Sequence, residues 1–173
     1  MTISEIYSQY AVDLKAALDA TDLTSLEATT IAIHELFAAG GTLFVAGNGG
    51  SAGTASHMAA DFCKTILGKN PTERTHRLRT VALCDNMPLI TAYGNDVSYE
   101  CVFGEQLRTL ARSGDALLVI TASGNSPNIV YALEAAKAMG VKTIAFVGFS
   151  GGKSKELADI TVHIPSHDYG VVE

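Results

Sequence analysis

Five short apolar runs, separated by segments long enough for helices, constrain this chain more than any other feature. Thr42–Ala46 (TLFVA), Thr80–Leu83 (TVAL), Ala116–Thr121 (ALLVIT), Thr143–Val147 (TIAFV) and Ile160–Ile164 are apolar at odd and even positions alike. A strand of that kind is covered on both faces, as in a parallel sheet whose crossovers are helices. Ser51–Leu67, Ser98–Arg112 and Ser126–Met139 supply helical segments between the runs. The expected fold is α/β, a three-layer doubly wound domain around a parallel sheet of five strands. In such sheets ligands bind beyond the carboxyl ends of the strands, so the loops there carry the chemistry.

The residues before Thr42 read as a helical pair. Ile3, Ile6, Tyr7, Tyr10, Val12, Leu14, Ala17 and Leu18 make one apolar stripe that breaks at Asp19–Asp22. In the second helix Thr24 and Glu27 have capping-box spacing, Leu26, Ile31, Ile33, Leu36 and Phe37 are the apolar contacts, and Gly40 sits where a left-handed C-cap is expected. A pair ahead of the first strand is outside the β-α repeat, so it is expected at the sheet edge or against another subunit. The chain thus divides as one domain over 1–173: helical pair 1–40, α/β core 41–165 and C-terminal segment 166–173. Gly68–Leu78, polar and carrying Lys69, Arg74, His76 and Arg77, is the segment expected to be most mobile.

Charge and cysteine usage exclude several classes of function. Lysines and arginines number 12 against 18 acidic residues, a formal net charge of −6, and no basic run makes a footprint for a phosphate backbone. No direct nucleic-acid binding is expected. No apolar run is long enough for a signal peptide or a bilayer span, so no membrane association is expected either. Cys63, Cys84 and Cys101 form no C-x-x-C pair and read as buried thiols in a reducing, cytoplasmic compartment.

Two strand-to-helix loops stand out. Gly47-Asn48-Gly49-Gly50-Ser51 follows the first strand. Its glycines permit positive φ and close backbone approach, and the first N–H groups of the next helix are unpaired and favour an anion. No Lys follows and the spacing is not G-x-G-x-x-G, so a nucleotide loop is disfavoured; a tight turn with Ser51 as N-cap is the plainer alternative. Thr121-Ala122-Ser123-Gly124-Asn125-Ser126-Pro127 repeats the arrangement, with Ser126 as N-cap and Pro127 at the first helical position. Capping accounts for Ser126 but not for Thr121 and Ser123. Neutral hydroxyl and amide donors at a helix N-terminus hold a phosphate by hydrogen bonds.

Four segments carry a family resemblance: GNGGSAGTASHMAADF at Gly47–Phe62, TAYGND at Thr91–Asp96, TASGNSPN at Thr121–Asn128 and GFSGGKSKELADITVHIP at Gly148–Pro165. Through them almost the whole chain resembles the sugar isomerase (SIS) domain family, and within it the sedoheptulose 7-phosphate isomerases, or phosphoheptose isomerases. The resemblance implies an aldose–ketose isomerase that interconverts sedoheptulose 7-phosphate and D-glycero-D-manno-heptose 7-phosphate in a heptose pathway for surface polysaccharide. It also implies that Thr121, Ser123 and Ser126 bind the phosphate, that Asn48, Gly49, Gly50, Asn95 and Asp96 line the sugar chain, and that four subunits share active sites as a homotetramer; Ser51, at the first loop, is expected on the phosphate beside them. The family position matching Ala122 usually bears a hydroxyl, so only a backbone donor remains there. The rival reading is a non-catalytic member of the same fold, similar to the protein that bridges copies of the replication initiator DnaA, which needs neither base nor metal.

His57 and Asp61 stand at i and i+4 after the first loop, one turn apart on one helix face. Such a pair is equally an ordinary surface pair. Aldose–ketose interconversion requires a base to move a proton between adjacent carbons and a group to stabilise the oxygen charge, and a carboxylate beside an imidazole meets both needs. By resemblance His57 is a zinc ligand, and Asp61 occupies the place of a Glu that binds zinc and acts in catalysis. Asp is shorter by one methylene, which leaves either a shifted site or altered activity. Glu173 matches the first functional position of a final family helix that bears a further zinc ligand and a catalytic His. His163 and His167 are given no role, His163 because a strand histidine is usually a core or edge residue.

Overall fold

The computed structural model describes residues 1–69, 72 and 77–172. Much of the polar loop Gly68–Leu78, including Arg74 and His76, lies outside the described residues, as does Glu173. All five apolar runs are strands: β1 (Thr42–Gly47), β2 (Arg79–Ala82), β3 (Ala116–Thr121), β4 (Lys142–Val147) and β5 (Ile160–His163). They pair parallel in the order β2-β1-β3-β4-β5. The winding runs outward from β1 to β2, returns past β1 to β3 and continues to β5, so its direction reverses between the neighbours β1 and β3.

Side-chain alternation along the strands builds two cores. Leu43, Val45, Leu118 and Ile144 face one side and pack with Leu36 and Ala55 of helices α2 (Leu23–Ala38) and α3 (Gly50–Cys63). Phe44, Ala46, Leu117, Val119, Ala145 and Val147 face the other, against α5 (Gly104–Leu110) and α6 (Pro127–Ala138). Each buried Leu, Ile or Val contributes about 1.5–3 kcal/mol, so the two-sided burial dominates the stability of the sheet. The two edge strands depart from the expected covering: β2 leaves Arg79 exposed and Val81 39% exposed, and β5 is buried only at Val162.

Doubly wound topology explains the second helix. Right-handed crossovers put α3 on one face and the later connections on the other, which leaves the first face bare toward β5. Helix α2 covers it, packing Ala32, Ile33, Leu36 and Phe37 into that core. The expectation that both N-terminal helices lie outside the layers is therefore corrected: α2 is part of the sheet cover. Helix α1 (Ile3–Asp19) is not, and it leaves Ile3, Ile6, Tyr7, Val12 and Leu18 exposed.

Helix ends follow local chemistry, with corrections. The cap of α2 is Asp22, whose carboxylate accepts the Thr24 N–H at 3.0 Å, so the Thr24/Glu27 box does not form; Thr24 already lies inside the helix. A capping box occurs instead on α1, between Thr2 and Glu5. Gly40, at φ 72°, ends α2 as expected, and the N–H groups of Gly40 and Gly41 return to Phe37 and Leu36. The expected helix Ser51–Leu67 ends at Cys63 and is followed by one tight turn at Thr65–Leu67. The crossover helix expected at Ser98–Arg112 is the shorter α5, and a further helix that was not expected, α4 (Met87–Asp96), precedes it through a turn at Tyr99–Cys101. Asn86 caps α4 by accepting the Leu89 N–H at 3.2 Å. Helices α7 (Gly152–Leu157) and α8 (Tyr169–Val172) complete the chain. The three thiols are free, but only Cys101 is buried; Cys63 is exposed and Cys84 half-buried.

Two aspartates fasten the strand starts. Asp115 accepts the N–H groups of Thr42 and Arg112, each at 2.8 Å, and so ties β1 to β3. Asp159 accepts the Thr143 N–H at 2.8 Å and hydroxyl at 2.9 Å beside β5. Desolvation alone would raise the Asp159 carboxyl, but these bonds, with Lys142 and Lys137, outweigh it and hold the carboxyl below its ordinary value of 3.8. A carboxylate depressed in the folded state stabilises above its unfolded pKa and loses that contribution as pH falls through the folded one. Asp159→Ala is expected to cost about 1 kcal/mol at pH 7, with the difference closing as pH falls through the depressed Asp159 pKa, below the ordinary carboxylate value, as read by urea unfolding at a series of pH values.

Candidate functional site

The reversal of winding opens a crevice between the carboxyl ends of β1 and β3, and both signalled loops meet in it. Asn48, Gly49, Gly50, Ser51, Thr121, Ala122, Ser123 and Ser126 line one cavity of about 260 Å³ with Ile120 and Tyr169. Gly49 caps α3 at φ 56° and ψ −122°, a conformation open essentially to glycine alone, and no side chain satisfies the helix start. Ser51 is the second residue of α3 and is buried, so the reading of it as a plain N-cap does not hold.

The second loop is held open by its own hydroxyls. Thr121 Oγ1 accepts the Gly124 N–H and Ser123 Oγ accepts the Asn125 N–H, each at 3.3 Å. Loop bonds therefore do account for Thr121 and Ser123, contrary to the sequence reading. Because both oxygens act as acceptors, each O–H remains a donor. Ser126 is the N-cap of α6, yet its side chain makes no capping bond. Three hydroxyl donors thus adjoin the N-terminus of α6, whose first N–H groups have no acceptor within the helix. That is a neutral anion cradle, whose charge complement is the positive end of the helix.

Behind the cradle, the turn before α7 locks the loop. Gly124, at φ 67°, has no room for a Cβ, which would lie 1.9 Å from the Gly151 carbonyl oxygen. The N–H of Ser154 donates to the Gly124 carbonyl at 2.9 Å and that of Lys153 to Asn125 Oδ1 at 3.0 Å.

Asn48 was expected to line the sugar chain, and it does line the cavity, but its amide also has a partner that sequence reasoning missed. Asn48 Nδ2 donates to Asn128 Oδ1 at 2.9 Å while Asn128 Nδ2 donates to Asn48 Oδ1 at 2.8 Å. Asn128 is 2% exposed, and Tyr99 donates to the same Asn48 oxygen at 3.2 Å. This exchange clamps the two loops together across the crevice. Asn128 stood within TASGNSPN, and its place in the first turn of a helix behind a cradle was the available signal. Tyr169 had no signal of this kind.

The remaining expected residues lie outside the cavity. Asn95 and Asp96 are exposed at the end of α4, where the Asn95 amide donates to the Asp96 carboxylate at 2.7 Å. His57 Nε2 and Asp61 Oδ2 are 3.3 Å apart on α3, with side chains 78% and 48% exposed, and the Thr65 hydroxyl donates to Asp61 Oδ1 at 2.7 Å. Gly50, Thr54, His57 and Asp61 are spaced by four, three and four, so they form one helical stripe that leaves the cavity at Gly50. At about 1.5 Å rise per residue, His57 is about 10 Å and Asp61 about 16 Å along α3 from Gly50. Among the described residues no three His, Cys, Asp or Glu side chains gather as a metal site. His163 is engaged at the edge, its ring nitrogens 2.8 Å from the Phe149 carbonyl and 3.2 Å from Lys155 Nζ.

Comparison with known proteins follows this geometry. A family model described as SIS domain matches residues 6–148. The phosphoheptose isomerase of Aliarcobacter butzleri is 42% identical over 142 residues, 82% of this chain and 72% of that protein. That of Pelobacter propionicus is 38% identical over 157 residues, 90% of this chain and 80% of that protein. Among solved structures, phosphoheptose isomerase GmhA from Neisseria gonorrhoeae superposes with a TM-score of 0.85 at 28% identity, covering 98% of this chain and 88% of that chain. A phosphoheptose isomerase from Francisella tularensis gives 0.87 at 30% identity, covering 99% and 91%.

Asn128→Ala removes both bonds of the exchange and leaves the half-buried Asn48 amide only its bond from Tyr99, so it is expected to destabilise the domain by about 1–3 kcal/mol. A double-mutant cycle with Asn48→Ala checks it: the two losses are expected to be non-additive by at least about 0.5 kcal/mol, and additive losses contradict the clamp.

Proposed function

The chain belongs to the SIS domain family, and on that premise we infer that it is a phosphoheptose isomerase, interconverting sedoheptulose 7-phosphate and D-glycero-D-manno-heptose 7-phosphate. The observation that carries this reading is the meeting of two hydroxyl- and glycine-rich loops at the β1/β3 reversal, in a cavity without a cationic side chain in its lining. Ser123, Ser126, Thr121 and Ser51 bind the phosphate through hydroxyls and helix-end N–H groups. Asn48, Gly49 and Gly50 meet the carbons next to the phosphate. Asn95 and Asp96, outside the cavity lining, act where the chain leaves it.

An extended seven-carbon chain with its phosphate spans on the order of 10 Å at ordinary C–C lengths. Lying along the α3 stripe, its carbonyl end comes to His57, with Asp61 one turn farther and in contact with it. The pair acts as a unit. It takes the proton from C1 of the ketose as the C2 carbonyl becomes the enediolate oxygen, and returns a proton to C2 as the O1 hydroxyl proton passes to O2 and the C1 oxygen becomes the aldehyde. Asp61, bonded to both Thr65 and His57, fixes the imidazole and supplies the negative charge of the unit. Zinc, which the resemblance implies, takes four donors. His57 and Asp61 are the donors for it among the described residues, and Glu173, the third that the resemblance names, lies outside them.

The reading extends to a homotetramer, supported by the apolar face of α1, where Ile3 is 87%, Tyr7 73% and Leu18 64% exposed. Such a contiguous face is the mark of an interface. It also extends to the cytoplasm, supported by free thiols, and no described helix is long and apolar enough to cross a membrane.

Ser123→Ala is expected to weaken sugar-phosphate binding by about 1–3 kcal/mol with little effect on the fold; unchanged affinity by calorimetry removes the phosphate assignment. Asp61→Asn is expected to keep that affinity and lower turnover by at least about a hundredfold, and a variant as fast as the parent rejects the catalytic pair. Deleting residues 1–20 is expected to abolish assembly, and light scattering that still reports a tetramer refutes the role given to α1.

A further inference from the structure

Resting on the phosphosugar reading, we propose that Tyr169 is a substrate-contacting residue whose ring is the wall against which the carbon chain of the sugar phosphate lies. Of the side chains lining the cavity, Tyr169 alone is aromatic. The others are glycines, hydroxyls, an amide and the small aliphatics Ala122 and Ile120 at the end of β3. Those groups suit the phosphate and the sugar hydroxyls. None of them offers a flat face to the C–H groups between, which an aromatic ring attracts through its negative face.

The ring is fixed although it is exposed. Tyr169 is 57% exposed, yet its ring meets that of Phe149 edge-on at 4.9 Å and 74°, and Phe149 stacks on His167 at 5.3 Å. Phe149 is the only residue other than glycine at positive φ among the described residues, at 46°. Its N–H donates to the Ser166 carbonyl at 2.9 Å, and its carbonyl lies 2.8 Å from the His163 ring. Backbone in that region persists only where its surroundings over-determine it, and it concentrates at ligand sites. From the other side, the Tyr10 hydroxyl donates to the Gly170 carbonyl and the Gly170 N–H to Asp168 Oδ1, each at 2.8 Å. An exposed aromatic that packs on a neighbouring ring, next to backbone pinned by these bonds, presents at a cavity edge contact area that costs little ordering on binding.

Calorimetry of the intact chain with sedoheptulose 7-phosphate and with inorganic phosphate tests the proposal, using Tyr169→Ala, Tyr169→Phe and Ser123→Ala. Tyr169→Ala is expected to weaken the sugar phosphate roughly tenfold and leave inorganic phosphate within about twofold, while Tyr169→Phe, which keeps the ring, binds both as the parent does. Ser123→Ala, by contrast, weakens both ligands. Equal affinity of parent and Tyr169→Ala for the sugar phosphate overturns the role of the ring and leaves the phosphosugar reading intact. Equal weakening of both ligands in Tyr169→Ala also overturns it, since the ring then serves the loop and not the sugar. If Tyr169→Ala fails to fold, Tyr169→Phe decides: parent-like binding supports the ring, and loss of the sugar phosphate alone assigns the contact to the hydroxyl and overturns it. A parent that binds phosphate but no sugar phosphate overturns the phosphosugar reading and this proposal together.

Discussion

The pairing of β1 with β3 is the constraint on which the rest of the molecule depends. Its register, from Leu43 opposite Ala116 to Gly47 opposite Ile120, brings two strand ends level, so the loops that follow them open side by side. Asp115 fixes the same pair at the other end by accepting backbone N–H groups from Thr42 and Arg112. Because the winding reverses here, no crossover bridges the gap between the two strand ends, and α3 and α6 leave it on opposite faces. The crevice is thus a product of topology before any polar residue is considered. The cost of that topology is an uncovered region on the α3 face, and α2 makes it good with the Leu36 and Phe37 contacts.

A cradle without lysine or arginine in its lining suits a chain of net charge −6 that has to admit an anion. Its donors are neutral and its field comes from backbone dipoles, which are fixed by the fold and need no reorganisation when the ligand arrives. Hydroxyls that spend their lone pairs on loop N–H groups keep their protons for the ligand. The bonds that stiffen the second loop, Thr121 to Gly124 and Ser123 to Asn125, therefore also orient its donors.

How much of this was legible in the sequence depended on the range of the interactions concerned. The strands were legible because double-sided burial writes itself into consecutive residues, and the three central strands are buried along most of their length; β2 and β5, at the two edges, kept the same composition and misled on covering. Both loops were legible because backbone demands on Gly and the N-cap position are local. Helix α4 escaped because it is short and has no buried residue, so only the Asn86-Met87-Pro88 start remained to mark it. The cap of α2 was misassigned because two acceptors, Asp22 and Thr24, stand two residues apart and only the chain's entry angle chooses between them. Asn128 and Tyr169 escaped for a different reason. Their partners lie far away in sequence, Asn48 in one case and the Phe149 ring in the other, and no local pattern records such a meeting.

The absence of any gap between Gly124 and Gly151 has a thermodynamic consequence. The carbonyl of Gly124 and the side chain of Asn125 accept the amides that begin α7, so the cradle and that helix share hydrogen bonds across a contact too close to slide. Linkage is reciprocal: an anion that stabilises the closed loop stabilises the start of α7 by the same free energy wherever the two open together. The Lys153 and Ser154 amides, on the far side of the loop from the cavity, then exchange with solvent more slowly when the site is full. A helix outside the cavity lining becomes a spectator that keeps the record of occupancy.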